Sequence, residues 1–308
     1  MPRTLLLVIL LALSACTATP KVVAPPDPAQ ARWFSGRTGN ASSLTEAASS
    51  IASADAVVVG ENHGHPLGLA TAAALWSDLL ARSPKSALAL EFFERDEQSR
   101  IDEYLAGLTD EKKFKARTNR NAGSYPPGHR DMVEAAKAAK RPVIAANAPR
   151  PFVTAAGKAK DYDNLKDLPP SLRSLIRVPD ELPTGRYRED FNKVMSDPAA
   201  AHGPKPKDEA EAKERLDSAF RGQSLWDWTM ADSVAQSVNA GNTPTLLIVG
   251  RFHEDHHGGL IQALEKLRPG VNVRTVSFVD AWSESLREED KDRADFVVYV
   301  GSEPEEKK

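Results

Sequence analysis

Cysteine is almost absent from this chain. A single cysteine, Cys16, occurs among 308 residues, so the mature chain can form no internal disulfide and no thiolate metal site. The run C-x-x-C-H is missing too, which excludes covalent attachment of a c-type haem. The sequence also has no Walker phosphate loop, no G-x-S-x-G elbow and no dinucleotide fingerprint, so phosphoryl transfer and serine hydrolysis lose their usual support.

Long hydrophobic runs and an excess of basic charge are missing as well. The apolar stretch from Leu5 to Leu13 is well below the roughly 20 residues that a membrane-spanning helix needs. It follows Arg3 and precedes small residues, which is the order of a cleaved export signal. The formal net charge of −3 gives no indication of a nucleic-acid partner.

The residues around Cys16 predict a lipid anchor. Leu13-Ser14-Ala15-Cys16 resembles the bacterial lipobox, in which the cysteine is lipidated and begins the mature chain. We therefore predict a signal peptide over 1–15 and a lipidated, flexible tether over 16–32, rich in Pro, Ala and Thr. Thr17 favours the outer membrane of a Gram-negative cell envelope. The alternative is an ordinary signal peptide that leaves a free thiol.

Residues 33–301 predict one α/β domain, followed by a disordered tail over 302–308. Apolar runs of strand length alternate with helical patterns, and such continuous runs indicate a mainly parallel sheet flanked by helices. The predicted strands are Ala56 to Val59, Ala87 to Leu90, Val143 to Ala146, Thr245 to Val249, Val273 to Phe278 and Phe296 to Val300. The predicted helices are Leu67 to Arg82, Arg95 to Leu105, Arg130 to Lys140, Ser224 to Val238 and Leu260 to Leu267. A charged, Pro-rich stretch over about 154–221 predicts a helical insertion, either a lid or a solvated decoration.

Two segments share one pattern: an apolar strand, a glycine, two residues and a histidine. The first contains Gly60 and His63, and the second contains Gly250 and His253. Ligands of open α/β sheets bind beyond the carboxyl ends of the strands, so the two turns are expected to bring their histidines together. Glu91, which ends its own predicted strand, joins the same edge if that strand is parallel.

Most of the histidines lie in these two turns, five of the 7 in the chain. Their ionisable residues are Glu61, His63 and His65 in the first turn and His253, Glu254, Asp255, His256 and His257 in the second. Imidazole and carboxylate groups suit Zn, Mn, Fe or Co, and imidazole is also a haem ligand. The predicted metal ligands are Glu61, His63, His65, Glu91 and His253. The alternative is that Glu61 or His63 caps a helix and the others are surface residues.

The second turn also matches H-E-x-x-H, from His253 to His257. In zinc proteases this motif depends on a helix that places both histidines on one face. Here it follows a strand-ending glycine and precedes Gly258-Gly259, so no stable helix is expected. A match this short favours a chance occurrence in a His-rich turn.

Tyrosine is a further haem ligand to consider. Tyr125 and Tyr187 lie in stretches that we expect to be irregular and exposed. Together with His63, His253 and His256 they are the candidate haem ligands, although a single tyrosine more often serves packing.

Several segments, taken in order, resemble the ChaN-like lipoproteins, a haem-binding branch of the Tiki/TraB/erythromycin-esterase superfamily. They are Gly60-Glu61-Asn62-His63, Leu90-Glu91-Phe92-Phe93 with Gln98 and Tyr104-Leu105-Ala106-Gly107, Pro142 to Arg150, Asp227-Trp228-Thr229-Met230-Ala231 and Gly250-Arg251-Phe252-His253. Each motif alone is weak, but their common order is specific and covers most of the mature chain.

The resemblance implies a shared pocket formed by Glu61, His63, Glu91 and His253. It also implies haem held at the outer membrane during iron acquisition, and a homodimer that sandwiches haem between tyrosine ligands. The segment from Lys112 to Tyr125 departs most from the family, and the insertion carries none of its motifs. Tyr125 and Tyr187 therefore remain candidates only.

Three functions follow from these observations. The first is a lipid-anchored protein of the cell envelope that binds haem or an iron complex. The second is a metal-dependent hydrolase, a protease or esterase, in which a metal ion activates water and Glu61 moves the proton. Its catalytic residues would be Glu61, His63, Glu91 and His253. The third is an envelope scaffold with a vestigial pocket.

Overall fold

An eight-stranded sheet forms the centre of the molecule. The computed structural model describes residues 26–121, 123–197 and 206–304. The strands are β1 (Arg32–Ser35), β2 (Ala41–Ser42), β3 (Ala56–Glu61), β4 (Ala87–Glu94), β5 (Val143–Asn147), β6 (Thr245–Gly250), β7 (Val273–Val279) and β8 (Phe296–Tyr299). Their order is β2-β1-β8-β7-β3-β6-β4-β5. The strands from β8 to β5 are parallel, whereas β1 and β2 extend one edge in antiparallel fashion. This arrangement confirms the predicted α/β class and its mainly parallel sheet.

Helices cover both faces of the sheet. They are α1 (Leu44–Ile51), α2 (Pro66–Arg82), α3 (Gln98–Leu105), α4 (Glu111–Arg117), α5 (Pro127–Ala138), α6 (Arg150–Lys158), α7 (Asp163–Lys166), α8 (Pro170–Arg173), α9 (Arg186–Met195), α10 (Glu209–Asn239) and α11 (Gly259–Leu267). Within β3, Val57 and Val59 pack with α1, α2 and α5, whereas Ala56 and Val58 pack with α10 and α11. Because successive side chains of a strand point to opposite faces, a strand covered on both sides must be apolar throughout.

The predicted insertion over 154–221 is occupied by most of α6, by α7, α8 and α9, and by the start of α10. The helix predicted from Ser224 to Val238 is part of α10, which begins much earlier, at Glu209. Asp208 accepts a hydrogen bond from the Glu211 backbone N–H and so caps this helix. The sequence did not predict the start of α10 because its first turns are charged and exposed, so they show no apolar periodicity.

The predicted signal peptide and Cys16 lie outside the described residues, as does the end of the tail from 305 to 308. Ordered structure begins before the expected start at Trp33. Pro28–Gln30 form a 3₁₀ helix and Arg32 already belongs to β1. Among the described helices, none has both the length and the apolar character needed to cross a bilayer.

Candidate functional site

The strand order brings the two histidine turns side by side. In the sheet, β6 lies between β3 and β4, and Glu61 at the end of β3 is in register with Gly250 at the end of β6. His63 follows β3, His253 follows β6, and Glu91 lies on the neighbouring β4. All three therefore reach the carboxyl edge of the parallel sheet, where open α/β sheets bind their ligands.

The outer half of the site is built around Glu61. This carboxylate is 2% exposed and receives two imidazoles, one on each oxygen. His63 Nδ1 lies 3.0 Å from Oε1, and His129 Nε2, from the buried face of α5, lies 2.7 Å from Oε2. The side chain of His63 is 54% exposed, so one fixed carboxylate orients an accessible imidazole.

These contacts shift the ionisation of both partners. Burial opposes the charge on Glu61, but the hydrogen bonds from His129 and His63 outweigh it and hold the pKa of Glu61 below its ordinary value. The hydrogen bond to Glu61 in turn raises the pKa of His63 against the effect of burial. With Nδ1–H donating to Glu61, the neutral form of His63 keeps its Nε2 lone pair available.

The inner half of the site is a buried ion pair. His253 Nδ1 lies 2.5 Å from Asp227 Oδ1, and the Tyr187 hydroxyl donates to Asp227 Oδ2 at 2.7 Å. Gln223 donates to the Tyr187 oxygen at 3.0 Å. On the other side of its ring, His253 Nε2 lies 3.6 Å from Glu91 Oε1. Two carboxylates therefore flank one buried imidazole.

Burial disfavours the charged form of His253, yet Asp227 and Glu91 overcome this and raise its pKa to about 10. Glu91 is affected in the opposite direction: burial raises its pKa, but His253, His63 and the Gly250 N–H lower it to about 2. Burial raises the pKa of Asp227, although the charge of His253 and its hydrogen bond lower it. At neutral pH His253 is a cation held between anions, and His63 is the group that can exchange a proton with solvent.

A cleft of about 390 Å³ opens over the outer half and is lined by His63, Glu91, Phe92, Glu94, Arg120, Ser124, Asn147 and Arg150. The Phe92 ring meets His63 edge to face, with 5.4 Å between ring centroids. Gly250 lies against this imidazole, since a Cβ there would lie 2.8 Å from His63 Nε2. The absence of a side chain at Gly250 therefore lets the imidazole occupy this position.

Four of the predicted site residues meet here: Glu61, His63, Glu91 and His253. His65 does not join them, because it caps α2 by accepting from the Gly68 N–H and lies 3.3 Å from Asp280. The contacts of His65 therefore lie at the start of α2 and not in the cluster around Glu61.

Asp255, His256 and His257 of the second turn make other contacts. His256 donates its backbone N–H to the Arg293 carbonyl, and His257 pairs with Glu265. Asp255 accepts from Ser277 and from Arg251. His256 and His257 have positive φ angles of 53° and 62°. The recorded contacts of His256 and His257 thus differ from those of the cluster around His63.

The expected exposure of the two tyrosines was wrong. Tyr125 is 3% exposed and packs on Phe93 and Phe114. Tyr187 is 4% exposed and lies in α9, where its hydroxyl bonds to Asp227. In both cases polar and Pro-rich surroundings in the sequence concealed an aromatic side chain that tertiary packing buries.

The predicted metal site is not supported. Across the ranges that the structure describes, no group of three or more His, Cys, Asp or Glu side chains is arranged to hold a metal ion. The ionisable groups satisfy one another as ion pairs instead. The H-E-x-x-H match lies in a 3₁₀ turn over Arg251–His253 and the turn after it, and α11 begins only at Gly259. The expectation that no helix carries this motif is confirmed.

Two members of the site, His129 and Asp227, were not predicted as such. His129 comes just before the helix predicted from Arg130, and Asp227 lies inside the helix predicted from Ser224. Asp227 had one signal, because it opens the Asp-Trp motif quoted above. His129 had none, since only the packing of α5 against β3 and β4 reveals its partner.

Known proteins with the same fold were found. A family model described as "Haem-binding uptake, Tiki superfamily, ChaN" matches residues 47–264. The solved structure "Cofacial heme binding to ChaN of Campylobacter jejuni" has 18% sequence identity and a TM-score of 0.65, covering 87% of this chain and 96% of that chain. No curated protein matches the sequence.

Two other solved structures are less similar. The type III effector HopBA1 has 10% identity and a TM-score of 0.46, covering 84% of this chain and 94% of that chain. A mutant of the erythromycin esterase EreC in its open conformation has 15% identity and a TM-score of 0.45, covering 80% of this chain and 76% of that chain.

Proposed function

We propose that this protein, which belongs to the ChaN haem-binding uptake family of the Tiki superfamily, binds haem at the cleft over His63. The observation that carries the proposal is the pairing of an accessible imidazole with a buried carboxylate. Glu61 accepts from His63 Nδ1 at 3.0 Å, and this fixes the tautomer that offers Nε2. A carboxylate behind a ligating histidine also increases its basicity and is a common feature of metal and haem sites.

The lining of the cleft suits haem in two further respects. Phe92 supplies an aromatic wall beside His63, and an apolar wall is what a tetrapyrrole requires. Arg120 and Arg150 supply positive charge at the rim. Arg120 is also anchored, since it donates to the Phe92 carbonyl and pairs with Glu97. When bound, haem would supply an iron that His63 would hold through Nε2.

The experiment is an absorption titration of a soluble fragment starting at Thr17 with haemin. Wild type should give a saturable, shifted Soret band, and His63→Ala should abolish the shift. The matched control is His257→Ala, an exposed histidine paired with Glu265, which should bind like wild type. A wild-type spectrum identical to that of free haemin at every ratio would refute the proposal.

We further propose that the protein is a lipoprotein of the cell envelope that serves iron acquisition. The motivation is the lipobox ending in Cys16 together with family membership. Labelling of the expressed full chain with radioactive palmitate should mark the wild type, and fractionation should place it in the outer membrane. Cys16→Ser should remove both the label and the membrane association. Label retained in that variant would contradict the lipid anchor.

A homodimer formed around haem is the corresponding proposal for assembly. The Campylobacter jejuni protein binds haem cofacially, and the His63 side chain in this chain is exposed on one face of the cleft. Sedimentation of the soluble fragment should therefore show a monomer without haemin and a dimer with it. The same mass in both states would refute dimerisation without affecting haem binding.

A second candidate function, acid–base hydrolysis, is favoured by one observation. His63 Nε2 lies 3.9 Å from Glu91 Oε2 while Nδ1 bonds to Glu61, an arrangement that suits a general base able to accept a proton from water. In this form Glu61 orients His63, and the His253 cation stabilises negative charge at the substrate. Turnover of short-chain aryl esters by the purified fragment tests the idea. Hydrolysis that is absent, or unchanged in Glu61→Gln, would refute it.

A further inference from the structure

A second cleft lies beside the His63 cleft, between α6, α9 and α10. This groove, which we call the α6–α9–α10 groove, has a volume of about 420 Å³. Its lining includes Val153, Thr154, Phe191, Ala219, Gly222 and Trp226. Most of these side chains are apolar or small, so the groove suits an apolar group and not a hydrated ion.

Close helix packing creates the floor of the groove. A Cβ on Gly222 of α10 would lie 3.2 Å from Val153 Cγ1 of α6, and one on Gly157 would lie 3.4 Å from Ser218. These glycines let the two helices approach and leave a shallow slot above them. Phe191 and Trp226 line the same groove, and flat aromatic rings of this kind favour a flat, apolar occupant.

The groove adjoins the site described above. Arg150 lines both clefts, so the two openings share one wall residue. Gln223 lines the groove and also lies 3.1 Å from His253 Nδ1. The groove is therefore joined to the ionisable cluster through the side chain of Gln223.

Positive charge marks both ends of the groove wall. Arg150 and Lys158 stand at the start and end of α6, about 12 Å apart along the helix axis at about 1.5 Å per residue. Both are exposed, and within the described residues neither forms an ion pair. Arg150 lies over the Trp226 ring at 5.7 Å, and its charge and backbone N–H also stabilise the Glu94 carboxylate. Two exposed cations beside an apolar slot complement an apolar molecule that carries two carboxylates.

We propose that the α6–α9–α10 groove receives the propionate-bearing edge of haem, with Arg150 and Lys158 pairing with its two carboxylates. This inference rests on the proposed function, because it takes the ligand of the His63 cleft to be haem. It adds a second subsite that sets the orientation of the tetrapyrrole and selects for free propionates.

Two variants and two matched controls test the inference by haemin titration. Thr154→Trp, at an exposed position on the groove wall, fills the slot and should weaken haemin binding at least tenfold. Thr45→Trp, at an exposed position of α1 on the other side of the sheet, is its control and should bind normally. Lys158→Gln should weaken binding about threefold, the size expected of an exposed ion pair. Lys85→Gln, also exposed, should change nothing.

Haemin dimethyl ester, which lacks both carboxylates, separates charge from shape. Lys158→Gln should not alter the affinity for the ester, whereas Thr154→Trp should weaken it as it weakens haemin binding. If both groove variants bind haemin like their controls while His63→Ala does not bind, the groove inference fails and haem binding stands. If the wild type itself does not bind haemin, both fail. Circular dichroism melts of all four variants establish that a loss of binding is not a loss of folding.

Discussion

Asp227 is the residue whose replacement tests the buried ion pair most directly. It is fully buried and accepts two hydrogen bonds, from His253 Nδ1 at 2.5 Å and from Tyr187 at 2.7 Å. Asp227→Asn keeps the shape and one acceptor oxygen but removes the charge. The variant therefore leaves His253 in a buried position with its main counter-charge gone.

The pKa shift of His253 sets how much stability Asp227→Asn should lose. Its pKa rises from 6.5 to about 10, which at about 1.4 kcal/mol per unit sets an upper limit of about 5 kcal/mol. The burial that raises the pKa of Asp227 reduces the net gain. Breaking a buried ion pair costs about 3 to 5 kcal/mol. Because asparagine retains one acceptor, we expect the free energy of unfolding to fall by about 3 kcal/mol at pH 6.5.

The sign of the pH dependence follows from the same shift. The folded pKa of His253 is raised, so its stabilising contribution is complete below 6.5 and is lost as the pH rises toward about 10. In Asp227→Asn the imidazole is expected to be neutral across this range. The difference in stability between wild type and variant should therefore narrow as the pH rises from 6.5 to 9.

Urea denaturation at several pH values measures both quantities. The matched control is Asp217→Asn on the same helix, where the carboxylate is partly exposed and pairs with Arg188 and Lys213; we expect a loss of at most about 1 kcal/mol. A loss below about 1 kcal/mol in Asp227→Asn, with the same value at pH 6.5 and pH 9, would refute the assignment of a charged, stabilising His253.

Three further predictions concern the cleft and its surroundings. The pKa of His63 is raised above 6.5, and protonation below that pKa occupies Nε2, so haemin affinity should fall about tenfold per pH unit there. A pH-independent affinity between pH 5 and pH 8 would contradict this. Gly250→Ala should weaken haemin binding at least tenfold, since its Cβ would lie 2.8 Å from His63 Nε2. The urea midpoint should change little, because the φ of −55° suits alanine. Unchanged binding would show that haem binding does not require the imidazole in this position. Glu254→Gln should raise the free energy of unfolding more at pH 8 than at pH 4.5. Burial and Asp255 raise the pKa of Glu254, so the folded wild type keeps a proton that the unfolded chain releases above pH 4.5. Equal effects at both pH values would refute a protonated Glu254.

Much of the fold follows from local patterns in the sequence. The runs Ala56 to Val59, Ala87 to Leu90 and Leu246 to Val249 are apolar in every position, and only a strand segment covered on both faces allows this. The pattern failed at the short antiparallel strands β1 and β2, of which β2 is the edge and β1 lies between β2 and β8, and at the start of α10. Glu91 also lies within β4 and not at its end, since β4 continues to Glu94. At these places pairing with a distant segment decides the structure, and local composition carries little information.

The positions of His63 and His253 directly after buried strands can be read from the sequence, because a glycine and an ionisable turn after an apolar run are local features. The groups around the two histidines depend on how distant segments pack. The position of β6 between β3 and β4 brings the two turns together, and α5 and α10 supply His129 and Asp227 from the two faces of the sheet. These partners share no pattern along the chain, because a hydrogen bond between packed elements depends on where the helices dock and not on the residues that adjoin each group in sequence.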